Sequence, residues 1–231
     1  MTRKPMASRS QGAANAVATV ALAALVACSS QPLPPNWQLN ARGALEHANT
    51  AYLQGNSKLA ALEHARARSE IASTGRPDLL ARAELTRCAA MVASLEFEPC
   101  AGFEALRSDA LPPERAYADY LLARLPSSEA AQLPLHHRAL AGTGASASAE
   151  LAALRDMPEP LARLVGAAVL LQRGRVSPEV ITLAIDTASS QGWRRPLLAW
   201  LQLQLQRVEK AGDAAEADRL RRRIALVHGT P

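Results

Sequence analysis

The stretch "ALEHANTAYLQGNSKLAALEHARA", residues 44–67, carries the pentapeptide ALEHA twice, at 44–48 and at 61–65, 17 residues apart. Ala, Leu, Glu, Gln and Lys fill most of it, and these side chains lose little freedom in a helix. Gly55-Asn56 stands between the copies as a turn signal. The stretch therefore predicts two consecutive antiparallel helices built to one pattern. A rival reading makes the pairs Glu46-His47 and Glu63-His64 halves of a metal or acid–base site. Sequence neighbours diverge by about 100° around a helix axis, so each Glu is badly placed to orient its own His. His47 and His64 would have to meet across the hairpin, and the helical reading is the stronger one.

The same grammar runs outward through the chain. Pro77, Pro113, Pro160, Pro178 and Pro196 stand where a first helical turn would begin, a position that tolerates the missing N–H. Ser177 precedes Pro178 as an N-cap. Gly55, Gly75, Gly174, Gly192 and Gly212 fall where helices would stop. These signals predict helices over 39–54, 57–73, 77–95, 101–108, 113–125, 128–141, 147–155, 159–173, 178–191, 195–211 and 213–227. The strand-like "LQLQLQ" (201–206) lies in a run with Leu197, Leu201, Leu205 and Val208 at helical spacing, and reads as helix. The segment "LAGTGASASAE" (140–150) is the best internal linker and a place where two helical subdomains would divide.

Seventeen residues are half of a 34-residue tetratricopeptide (TPR) unit, and residues 41–74 resemble one. Ala48 matches the small residue of the first helix, Tyr52 and "QGN" its end and turn, and Ala60 and Ala67 the small positions of the second helix. A partial match covers "RVEKAGDAAEADRLRRRIAL" (207–226), with Gly212-Asp213 as turn and Ala217 as contact. The early Trp, the aromatic of the second helix and the closing Pro are missing from 41–74. The resemblance implies an all-α, TPR-like array of antiparallel helical hairpins, an α-solenoid, over 39–231.

Residues 1–27 read as a signal segment. Arg3, Lys4 and Arg9 precede the apolar run Ala13 to Ala27, which holds 15 residues and is too short to span a bilayer core needing about 20. It ends in "LVAC", Leu25-Val26-Ala27-Cys28, which resembles the lipobox of bacterial lipoproteins. The resemblance implies cleavage before Cys28 and its lipidation, with 28–38 as lipidated Cys and Pro-rich tether. Stable anchoring takes at least two acyl chains, which a palmitate-bearing, multiply acylated Cys28 supplies. Ser29, in place of the Asp that retains lipoproteins at the inner membrane, implies the outer membrane of a Gram-negative bacterium, facing the periplasm.

Removing the three basic residues of the segment from the net charge of +5 leaves +2, which removes most of the case for nucleic acid. The run "RLRRRI" (219–224) suits a helix C-terminus. An oxidising periplasm leaves Cys88 and Cys100, 12 apart, as a predicted disulfide, against two reduced buried thiols.

The five histidines, His47, His64, His136, His137 and His228, form no HExxH or i, i+4 pair. GxSxG, SxxK and P-loop motifs are missing. No catalytic residue, cofactor, metal or small-molecule substrate is therefore assigned. Trp193 and Trp200 are seven apart, on one helical face, and "GWRRPLLAW" adds Arg194 and Arg195. These four are the candidate partner surface, with core packing as the alternative for the tryptophans. The reading is an adaptor or scaffold for another envelope protein. Its rivals are an envelope hydrolase or peptidoglycan-modifying enzyme with an unrecognised acidic site, and a small-molecule carrier with an apolar pocket between helices.

Overall fold

Gly55, Gly75, Gly174, Gly192 and Gly212 all have φ between 65° and 89°, the left-handed region that ends a helix without a Cβ clash. The computed structural model describes residues 1–2, 34–142 and 144–229; the predicted lipobox and Cys28 lie outside the described residues. Eleven α-helices and one 3₁₀ helix follow one another among those residues, with no strand. They are α1 Asn36–Leu53, α2 Ser57–Ala72, α3 Pro77–Ala93, α4 Ala101–Glu104, α5 Pro112–Leu121, α6 Leu135–Ala141, α7 Ala147–Arg155, α8 Pro160–Gln172, α9 Pro178–Ser190, α10 Arg194–Lys210 and α11 Ala214–His228. The 3₁₀ helix, Ser127–Gln132, lies between α5 and α6.

Side-chain caps fix four of the starts. Asn56 accepts from Leu59 N at 3.1 Å, Ser146 from Ala149 N at 3.2 Å, Ser177 from Val180 N at 3.3 Å and Asp213 from Glu216 N at 3.0 Å. Each satisfies one amide that the first helical turn leaves unpaired.

Five of the expected helices differ at a boundary. The predicted helix 128–141 is broken at Leu133-Pro134: Leu133 is extended (φ −73°, ψ 157°), because a residue before proline is driven out of the helical region. The first helix begins at Asn36, inside the stretch expected to be a tether, and Trp37 packs against Ala41, Ile71 and Ala83. The third and fifth helices stop short of Leu95 (φ 62°) and Ala123 (φ 55°), two non-glycine left-handed residues. The fourth helix ends at Glu104.

Helix α3 lies at the centre, packed on α1, α2, α4, α5 and α8. Helix α8 is buried without interruption from Leu164 to Leu170, as expected of a helix apolar all round. From α8 to α11 each helix packs on the next. Contacts also join elements far apart in sequence: α3 meets α8 and α10 meets α1. Trp200 of α10, 0% exposed, donates from Nε1 to Ala93 O of α3 at 3.1 Å.

Helices from Asn36 onward form one compact unit, so the segment 140–150 does not divide two subdomains. Arg173 donates to Leu140 O and Ala141 O at 3.1 and 3.0 Å, and Arg175 to Gly142 O at 2.9 Å. Arg175 also pairs with buried Glu150. A stretch that reads as a linker is tied to the end of α8 through its carbonyls.

Candidate binding groove

The two ALEHA copies are presented oppositely. In the first, Ala44 and Ala48 face inward and His47 is exposed; in the second, His64 faces inward and Ala61 and Ala65 are exposed. The pentapeptide repeats in sequence, and its rotational phase does not. Hence His47 and His64 do not meet, and His64 is a buried histidine rather than a solvated one. Ala60 and Ala67, the small positions expected of α2, are buried.

Three depressions open around α1 and α3. The first, a cavity of about 500 Å³, lies between α3, α5, α6 and α8 and is walled by Leu85, Leu133, Leu161 and Val165. The third, of about 340 Å³, is walled by Trp37, Leu45, Ile71 and Leu79. Arg82 and Thr86 line both, and Asn49 lines all three. The first and third therefore form one apolar trough along α3.

The polar groups of the trough are few. Glu114 is buried, and its Oε1 accepts from Arg82 Nε at 3.0 Å and Nη2 at 2.5 Å. Its Oε2 is buried with no hydrogen-bond partner among the described residues. His137 is buried, and its Nδ1 lies 3.1 Å from Tyr120 Oη. Burial, helped by the charge of His136, lowers its pKa to about 3, so the ring is neutral and Tyr120–His137 is a neutral hydrogen bond. Burial pushes the Tyr117 and Tyr120 hydroxyls well above the usual tyrosine range. The rings of Tyr117, Tyr120 and His137 lie within 4.9–6.1 Å of one another and make a stiff aromatic wall.

The second depression, of about 490 Å³, is the most polar of the three. Beneath it lies Glu84, 2% exposed, whose Oε1 takes His64 Nε2 at 3.2 Å and pairs with Arg68. Burial, then the charges of Arg87 and Arg68, lowers the His64 pKa to about 4. The imidazole is thus a neutral donor to a carboxylate. A Cβ at Gly102 would collide with the Glu84 carboxylate, so a larger residue there would force that side chain to shift. At the other wall Arg195 donates to Tyr52 O at 2.9 Å and to Ser57 Oγ at 2.5 Å, and pairs with Glu96 at 3.4 Å. Its guanidinium stands 4.2 Å over the Tyr52 ring.

The four residues expected to form a partner surface do not share one. Trp200 is in the core, Trp193 is half-buried against it, Arg194 is exposed, and Arg195 is tied inside the second depression. Trp193 is the N-cap residue just ahead of α10, and it packs against the core that holds Trp200. Cys88 and Cys100 are joined by a disulfide with Cα atoms 5.9 Å apart. His136 is exposed at the rim of the first cavity, and His228 closes α11.

Sequence reading assigned no role to Arg82, Glu84, Arg87 or Glu114. The one available signal was a lone acid amid small and apolar residues, as in "ARAELTRCAA" (81–90). Among the described residues no three His, Cys, Asp or Glu side chains are grouped to hold a metal ion, and no helix is long and apolar enough to cross a membrane. The chain matches no protein-family model, no curated protein and no solved structure.

Proposed function

We propose that this chain is a non-enzymatic lipoprotein of the bacterial envelope, held at the outer membrane through lipidated Cys28 and facing the periplasm, where it binds an apolar segment of another envelope protein. The observation that carries the reading is the apolar trough along α3, whose two cavities of about 500 and 340 Å³ share Arg82, Thr86 and Asn49. A concave surface between helical hairpins suits an extended or helical peptide, with apolar pockets for side chains and a few polar groups for orientation. The α1–α2 and α10–α11 hairpins, each turning at a left-handed glycine, support a TPR-like origin for the two ends. The contacts of α3 with α8 and of α10 with α1 fold such an array back on itself.

A second reading is a carrier of a small apolar molecule, favoured by the first cavity's volume, which falls in the range of about 300–1,000 Å³ usual for such sites. The hydrolase reading has less support. Burial raises the Glu150 carboxyl pKa against the opposing charge of Arg175, but Glu150 lines none of the three depressions.

A photo-crosslinking residue at Thr86 or Leu161, in cells labelled with palmitate, tests the adaptor. One discrete envelope protein should be captured from both positions and not from exposed Leu226. Palmitate should enter the wild type and not Cys28→Ala. Capture equal at Leu226, or a co-purifying small molecule with no protein, would count against it.

A further inference from the structure

The first cavity holds two polar atoms that the chain itself leaves unmet. Glu114 Oε2 is buried and accepts no hydrogen bond, although Oε1 of the same carboxylate takes both contacts from Arg82. The Glu114 side chain is only 9% exposed, so bulk water does not serve that oxygen freely. Tyr117 is half-buried, and its contacts are ring contacts with Tyr120 and His137; its hydroxyl makes no hydrogen bond with any described residue. Both residues line the cavity. They stand three apart on α5, which puts them on one helix face. Most other polar side chains of the cavity have partners or reach water. Thr86 Oγ1 donates to Ala83 O at 2.7 Å, His137 is paired with Tyr120, and Gln132, His136 and Glu159 are exposed.

A carboxylate oxygen only accepts, whereas a phenol donates or accepts. An occupant that meets both atoms carries an N–H or O–H for Glu114 and an oxygen for Tyr117, on an apolar body suited to Leu85, Leu161 and Val165. A cation is the weaker match. Arg82 already holds the Glu114 charge, so an ammonium group would enter an apolar cavity with no opposite charge left to meet it. A neutral N–H avoids that penalty. In an extended peptide the N–H and C=O of one residue point to the same side, as they do in a β-ladder.

We propose that Glu114 and Tyr117 read the backbone of the occupant, Glu114 Oε2 accepting the N–H of one extended residue and Tyr117 Oη donating to its C=O. The first cavity then takes a peptide with apolar side chains in preference to other apolar molecules of the same size. This rests on the reading of the trough as a peptide site and specifies how that site recognises a peptide.

The test uses the full chain in lipid nanodiscs and follows the methyl NMR signals of Leu161 and Val165. Three probes are titrated at matched free concentration. The first is isovaleryl-leucine dimethylamide, a capped residue with a single N–H. The second has an ester oxygen in place of that N–H. The third is leucine dimethylamide, whose free ammonium group makes it a cation. Saturable shifts are expected with the first, and binding about tenfold or more weaker with the ester, which loses a hydrogen bond to a charged group. The cation should also bind more weakly than the first probe. In Glu114→Gln the carboxamide oxygen turns to Arg82, which offers donors only, and the amide nitrogen takes the place of Oε2. The preference for amide over ester should vanish there. Tyr117→Phe should weaken both probes several-fold, because both keep the carbonyl. Leu226→Ala, exposed on α11, should bind as the wild type does. Equal binding of amide and ester, tighter binding of the cation, a preference that survives Glu114→Gln, or no saturation with any probe would overturn the inference. No partner protein enters this measurement, so its failure is distinct from failed capture at Thr86 and Leu161, which bears on the adaptor reading.

Discussion

Two buried histidines make this chain acid-sensitive in a defined window. Burial lowers the His64 pKa to about 4 and the His137 pKa to about 3, whereas both lie near 6.5 in an unfolded chain. The folded state therefore binds fewer protons than the unfolded one at any pH between these values. The stability they contribute is fully present above about 6.5 and is lost as pH falls toward 4. The loss is on the order of 2 kcal/mol per histidine between pH 7.5 and 5, read as a fall in the urea midpoint. His64→Gln keeps an N–H donor for Glu84 and removes the titration, so its midpoint should change less with pH than that of the wild type. His47→Gln, at an exposed position, should follow the wild type at every pH. An unaltered pH profile in His64→Gln would mean that the ring is solvated. The contrast between two histidines in identical pentapeptides comes from helix phase alone.

Helix packing turns on small residues, and Gly166 of α8 is the sharpest case. A Cβ there would lie 2.6 Å from Leu140 Cδ1 and 2.8 Å from Leu154 Cδ2, both buried side chains of α6 and α7. Gly166→Ala gains about 1 kcal/mol of helix propensity and incurs about 1–3 kcal/mol of overpacking. A net loss of up to about 2 kcal/mol is expected in chemical denaturation, and Leu140→Ala should recover part of it in the double mutant. A stabilised Gly166→Ala would show that α6 and α7 yield freely. At this scale the sequence was legible wherever helices end in glycine or begin with proline and a capping side chain, as at Gly55, Gly174 and Ser177. It was not legible at Leu95 and Ala123, where ordinary residues take the left-handed conformation because tertiary packing holds them there. Nor was it legible at Glu84 and Glu114, because the charge of a side chain does not disclose that it will be buried against an arginine from another part of the chain. Trp200 was ambiguous for a related reason: spacing gives the face, and only the neighbours of that face decide whether it is core or surface.

Across the whole molecule, the first hairpin is joined to the last helices by a contact that no helical periodicity announces. Arg195 stands 143 residues from Tyr52 and 138 from Ser57 in sequence, and it binds the carbonyl of one and the hydroxyl of the other. It also reaches Glu96, in the segment that the Cys88–Cys100 disulfide closes. One guanidinium thus ties three parts of the chain: the turn between α1 and α2, the loop after α3, and the start of α10. Hydrogen bonds involving a charged group contribute about 1.5–3 kcal/mol each when buried, and this side chain is 25% exposed, so a total near the lower end is expected. Its loss should act regionally. The α8–α9 layer keeps its own apolar packing, while α1 and α2 lose a clamp at their turn. Arg195→Ala should speed amide exchange about tenfold or more in α1 and α2 and leave the slowest amides of α8 nearly unchanged. Arg195→Lys should not restore protection, because three acceptors in different directions need the planar fork of arginine rather than a single ammonium. Exchange that rises equally in α8 would show that the unit opens only as a whole. In that case the hairpin that walls the second depression could not move without global unfolding.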